Sequence, residues 1–170
     1  MNLKNGMTLV FLLVSLLIIH SSGEESVKTM DRDIEITLER GMCFGTCPVY
    51  SVSLFGNGTV LWKGEKYVAV MGNVTAHMVP HAIGHLYDQL ITSGFLDLED
   101  TYASYNVTDM PSATLIVRNG THIKKVYHYH GDFSAPHVLN EMEETVDQVA
   151  DTSRWIGVYK AQEGTWGESI

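Results

Sequence analysis

Basic residues are scarce in this chain: 11 lysines and arginines face 20 aspartates and glutamates, for a net charge of −9. Nucleic acids and anionic membranes are recognised through basic patches, so the balance argues against both as partners. Long apolar runs are missing as well. The longest, 7–19, has 13 residues, whereas a spanning helix needs about 20. Preceded by Lys4 and followed by Ser21, Ser22 and Gly23, it reads as a secretory signal cleaved after Gly23. A retained N-terminal anchor is the lesser alternative. The chain has no nucleophile elbow, phosphate loop or HExxH helix, and no internal repeat. No catalytic residue is assigned, and the reading leans away from an enzyme.

Removing 23 of the 170 residues leaves 147, the size of one domain. The expected division is a signal at 1–23, a single domain at 24–157 and a loose tail at 158–170. Segment 33–40 alternates Ile34, Ile36 and Leu38 with polar neighbours, the period of a strand. Runs 49–55 and 59–63 flank Asn57-Gly58, whose preference for positive backbone angles predicts a tight hairpin. A further strand is expected at 67–71, continuing toward Met78 through a bulge near Gly72. Pro80 opens a helix with Ile83, Leu86, Tyr87, Leu90 and Ile91 on one stripe. A second hairpin, 113–118 and 121–129, turns on Asn119-Gly120. The last helix, from Pro136, carries Val138, Leu139, Met142, Val146, Val149 and Ala150 on an apolar face. Glu141, Glu143, Glu144 and Asp147 read as its solvated side. The predicted fold is α+β, in the order β-β-β-β-α-β-β-α. It is an antiparallel sheet of about five or six strands with two helices packed on one face.

Cys43 and Cys47 are the only cysteines, four apart around Gly45 and just before Pro48. In an exported protein this spacing predicts a small disulfide loop. Redox pairs of the thioredoxin type have two intervening residues and sit at a helix start, unlike this pair. A zinc site would need two further ligands, and histidines offer them. His81 and His85 lie one helical turn apart, and His128 and His130 share one side of a strand that runs that far. These four make a possible transition-metal site, although no cofactor is expected. If Asn119-Gly120 forms a two-residue turn, position 111 faces His128 and Asp109 comes near His130. Asp109, Tyr50 and His128 then form a possible polar site. Asp97, Glu99 and Asp100 in the long connection 96–109 do not match the twelve-residue calcium loop. Four Asn-x-Thr sequons, at Asn57, Asn73, Asn106 and Asn119, are N-glycosylation candidates in a host that modifies exported proteins.

Five motifs follow one another: Cys43-Phe44-Gly45-Thr46-Cys47-Pro48-Val49-Tyr50, Gly56-Asn57-Gly58, Thr108-Asp109-Met110-Pro111, His128-Tyr129-His130-Gly131 and Arg154-Trp155-Ile156-Gly157. Together, over 33–157, they resemble an uncharacterised family of exported prokaryotic proteins. That family is a domain of unknown function with a Cys-Phe-Gly-x-Cys-Pro-x-Tyr signature. The resemblance implies a single exported domain and brings no activity and no catalytic residues. Many relatives carry a lipid-attachment cysteine after the signal; this chain has none there. The expected function is a non-catalytic binding module or an envelope or extracellular accessory module. Its partner is an unknown protein or small ligand in the extracytoplasmic space, met by the sheet face away from the helices. The alternative is a metal-binding or weakly catalytic protein centred on His128, His130 and Asp109.

Overall fold

Side chains alternate across a strand, so each apolar series commits one face of the sheet to the interior. The computed structural model describes residues 33–104 and 109–157; the expected signal, Asn106 and the tail from 158 lie outside them. β1 (Ile34–Arg40) buries Ile34, Ile36 and Leu38, and β2 (Val49–Phe55) buries Tyr50, Val52 and Leu54. β3 (Thr59–Lys66) adds Val60 and Trp62, and β4 (Gly72–His77) forms an outer edge. β5 (Thr101–Tyr102) is the opposite edge, beside the hairpin of β6 (Ser112–Asn119) and β7 (His122–Tyr129). The order is β4-β3-β2-β1-β6-β7-β5, antiparallel throughout except for the parallel β5–β7 pair.

Two helices cover the apolar face. α1 (Pro80–Thr92) buries Ile83, Leu86 and Leu90; α2 (His137–Ala150) buries Leu139, Met142, Val146 and Ala150. These side chains join the strands in one core cluster. A short α3 (Ser153–Ile156) brings Trp155 onto Trp62, with ring centroids 5.1 Å apart. The α+β class is as expected. The seventh strand, β5, has two residues and so shows no period in the sequence. In the second hairpin, Leu115, Val117 and Val126 face the core, while Ile123 and Tyr127 stay exposed.

Two local expectations are corrected. The strand expected at 67–71 is a loop, and pairing with β3 starts only at Gly72. Its backbone is committed elsewhere: Ala69 N–H donates to Ile156 O and Val70 N–H to Trp155 O. Val70 O accepts from the Trp62 indole at 2.9 Å. Tyr67, with φ of 54°, turns the chain out of extended geometry. The first hairpin is as expected: Leu54 pairs with Val60, and Gly56, Asn57 and Gly58 lie between β2 and β3. At the second, Asn119 pairs with His122, so the turn residues are Gly120 and Thr121. His128 therefore faces Ala113, not position 111.

The Cys43–Cys47 disulfide is formed, and Phe44 N–H donates to Asp109 O at 3.1 Å beside it. Closing so small a loop removes little chain entropy. Replacing both cysteines by serine is expected to lower stability by about 2 kcal/mol in denaturant titration, with unchanged secondary structure by circular dichroism.

Candidate functional site: a buried carboxylate beneath the second helix

One row of residues crosses the sheet on the core side. Tyr50 pairs with Arg40, Arg40 with Ala113, Ala113 with His128, and His128 with Tyr102. Four members of this row, Tyr50, Arg40, His128 and Tyr102, carry polar ends, whereas the preceding row, Val52, Leu38, Leu115 and Val126, is apolar. Ala113, between Arg40 and His128, keeps the middle of the row shallow. Into that space α2 lowers two acids. Glu143 stands four residues after Leu139 and three before Val146, so helical geometry places it on the buried stripe. Asp147, one turn further, follows it.

This reverses the expectation of a solvated acidic face. Glu141 and Glu144 are exposed, but the Glu143 side chain is 1% exposed and that of Asp147 19%. A buried carboxylate needs partners, because burial without them costs several kcal/mol. Glu143 has three. His128 Nδ1 lies 2.7 Å from its Oε1, and His130 Nε2 lies 2.9 Å from its Oε2. Arg40 Nη1 donates to the same Oε2 at 2.7 Å. Arg40 also reaches Asp147 Oδ2 through Nη2 at 2.8 Å and through Nε at 3.2 Å. The other oxygen of Asp147 accepts from the Tyr50 hydroxyl at 2.6 Å and from Thr152 Oγ1 at 2.9 Å.

The electrostatics follow from this wiring. Burial opposes ionisation of Glu143, but the hydrogen bonds from His128 and His130 and the Arg40 charge outweigh it, holding the carboxyl at about 2. Burial, followed by the neighbouring Asp147 charge, pushes the Tyr50 phenol well above its ordinary value. For Arg40, burial is again the largest single influence, yet the two acids hold it above its ordinary value. Nearby, Asp132 accepts from Ser104 N–H at 2.6 Å and from Ser134 N–H and Oγ at 2.9 and 2.6 Å. These bonds, the one from Ser104 foremost, hold its carboxyl at about 2. They clip the segment after β5 to the turn after β7.

The sequence-derived candidates are only partly brought together. His128 and His130 converge, with ring centroids 4.4 Å apart, although β7 ends at Tyr129. Their third companion is Glu143, and the ligand-type atoms of these three lie within 4.8 Å of one another. That is a donor set for a transition metal. His81 and His85 lie on the exposed side of α1 and are not part of it. Tyr50 joins the network through Asp147, not through His128. Asp109 is exposed at the rim; its carbonyl holds Phe44 N–H, and Met110 N–H donates to Tyr129 Oη at 3.1 Å. Sequence reasoning missed Glu143, Arg40 and Asp147. The signal for Glu143 was its place among Leu139, Val146 and Ala150; Arg40 carried no local signal.

The depressed Glu143 carboxyl stabilises the fold above its unfolded value near 4.5. That contribution is lost as pH falls from 4.5 toward 2. Its size is about 3 kcal/mol. Glu143→Gln is expected to lose about this much at neutral pH and to flatten the acid limb of a stability–pH curve. Urea titrations from pH 7 downward should show variant and wild type converging near the bottom of that window.

No curated protein matches the chain. Residues 34–150, from β1 to the end of α2, match the model of a domain of unknown function, DUF6438. Arg40, Tyr50, His128, His130, Glu143 and Asp147 all fall within the match. The chain belongs to the DUF6438 family.

Proposed function

We propose that this chain is a non-catalytic, extracytoplasmic binding domain that meets a protein partner with the disulfide end of its sheet. One observation carries the reading: large apolar side chains stand in solvent around that end. Met42 is 61% exposed, Phe44 87%, Met110 44% and Phe133 89%. Phenylalanine and methionine are enriched where proteins meet. The disulfide and the Phe44–Asp109 backbone bond hold the Phe44 loop in one shape, which lowers the ordering cost of binding. By contrast, the open sheet face mixes Leu61, Ile123 and Tyr127 with Glu39, Lys63 and Thr114. The disulfide fits an oxidising compartment. Among the described residues, no helix is long and apolar enough to cross a membrane.

A photo-crosslinking side chain at position 44 is expected to give one discrete protein adduct on the outer surface of source cells. The same group at the exposed Asp88 position of α1 should give none. Adducts at neither position, or equally at both, overturn the reading.

A second reading, a metal-binding protein, is favoured by the His128–His130–Glu143 donor set. His130 is its accessible member, with a side chain 23% exposed. Arg40 on Glu143 Oε2 weighs against a cation there, because a guanidinium already neutralises the carboxylate. Calorimetry of tag-free protein with zinc or copper separates the two. The leading reading expects no heat. Saturable heat abolished by His130→Ala supports the metal.

A further inference from the structure

The two edges of this sheet are protected differently. Unpaired N–H and C=O groups on an outer strand template association with another chain, and proteins blunt such edges by shortness, charge, proline or cover. β5 is blunted by shortness, having two residues. β4 is not: it has six residues, Gly72-Asn73-Val74-Thr75-Ala76-His77, with no proline and no lysine, arginine or acid. It is outermost in the sheet order, and four of the six are exposed. What β4 does carry is a sequon, Asn73-Val74-Thr75, with Asn73 and Thr75 both exposed.

The pattern extends over the chain. Seven asparagines occur, and the four at 57, 73, 106 and 119 are each followed two residues later by threonine. Asn57 sits exposed in the β2–β3 loop, and its Oδ1 accepts from Thr59 N–H at 2.9 Å. That bond uses the carbonyl and leaves the amide nitrogen available. Asn119 closes the β6–β7 ladder beside Gly120, half-buried at the hairpin tip. Asn140, which has no sequon, lies in α2. Among the described residues, sequons thus stand at two loop ends and on the outermost strand.

We propose that Asn57, Asn73 and Asn119 are N-glycosylated, and that the glycan at Asn73 shields the β4 edge from strand pairing. The donor class is a lipid-linked oligosaccharide. The asparagine Nδ2 bonds to the sugar C1 as the bond from C1 to the lipid diphosphate breaks. One amide proton leaves, the lipid diphosphate departs with the bonding pair, and nothing is oxidised or reduced. The inference rests on the extracytoplasmic reading, since the donor and its transferase act on exported chains.

The test is expression of the full chain in cultured eukaryotic cells, with intact mass measured in medium and lysate before and after enzymatic release of N-glycans. At least three glycan steps are expected, and Asn57→Gln, Asn73→Gln and Asn119→Gln should each remove one. Thr75→Ala should remove the same step as Asn73→Gln while keeping the asparagine. Protein in the medium at the bare polypeptide mass overturns glycosylation and leaves export standing. Protein confined to the lysate at that mass overturns both. For the shielding role, size-exclusion of Thr75→Ala should show new self-association relative to the glycosylated wild type. A Thr75→Ala protein that stays monomeric overturns it.

Discussion

Glu143 sits under α2 in an environment where a lone carboxylate would not ionise, and three donors from two strands and a turn keep it charged. A buried charge is tolerated only when its partners are in place, so this contact sets a geometric condition on the whole fold. β1 must deliver Arg40, β7 must deliver His128, and the turn after β7 must bring His130. A one-residue slip of either strand would turn its polar end to the solvent side and strand the acid. The apolar rows supply most of the attraction between helix and sheet, but they are forgiving about register. Arg40, bridging Glu143 and Asp147, is not.

The network also organises what stands above it. Asp147 fixes Tyr50, which stacks on Trp62 at 4.7 Å, and Trp62 meets Trp155. Thr152 ties the start of the α3 segment to the same acid. The polar row thus holds the C-terminal segment, while the disulfide loop links the strands of Arg40 and Tyr50 and the 109–111 segment leads into β6, the strand of Ala113. A hydrogen-bonded layer thus lies next to exposed Met42, Phe44, Met110 and Phe133.

Much of the architecture was legible along the chain. The alternation in 33–40, the two Asn-Gly turns and the stripe after Pro80 named their elements, because those signals depend on neighbours in sequence. Two expectations failed, one for a long-range reason and one for a local one. Tyr67 to Met71 looked like a strand by composition, yet their backbone partners were Trp155 and Ile156, more than eighty residues away. The turn at Gly120-Thr121 differed by one residue from the one expected at Asn119-Gly120, and that shift moved the partner of His128 by two positions. Of the site, His128, His130 and Tyr50 were visible as residue types. Their centre was not, because an acid among other acids on a helix carries no mark of burial beyond its phase.

By itself, the sequence determined the class of fold, the disulfide pairing, the two hairpins and the apolar faces of both long helices. Each follows from spacing within a few turns or a few residues of chain. Only the tertiary structure decided that Glu143 and Asp147 point inward, that Arg40 answers them and that Asp109 stays at the rim. Those outcomes depend on which strand lies beneath which turn of helix, and on the cost of a buried charge. Arg40 and Glu143, 103 residues apart, meet across that gap.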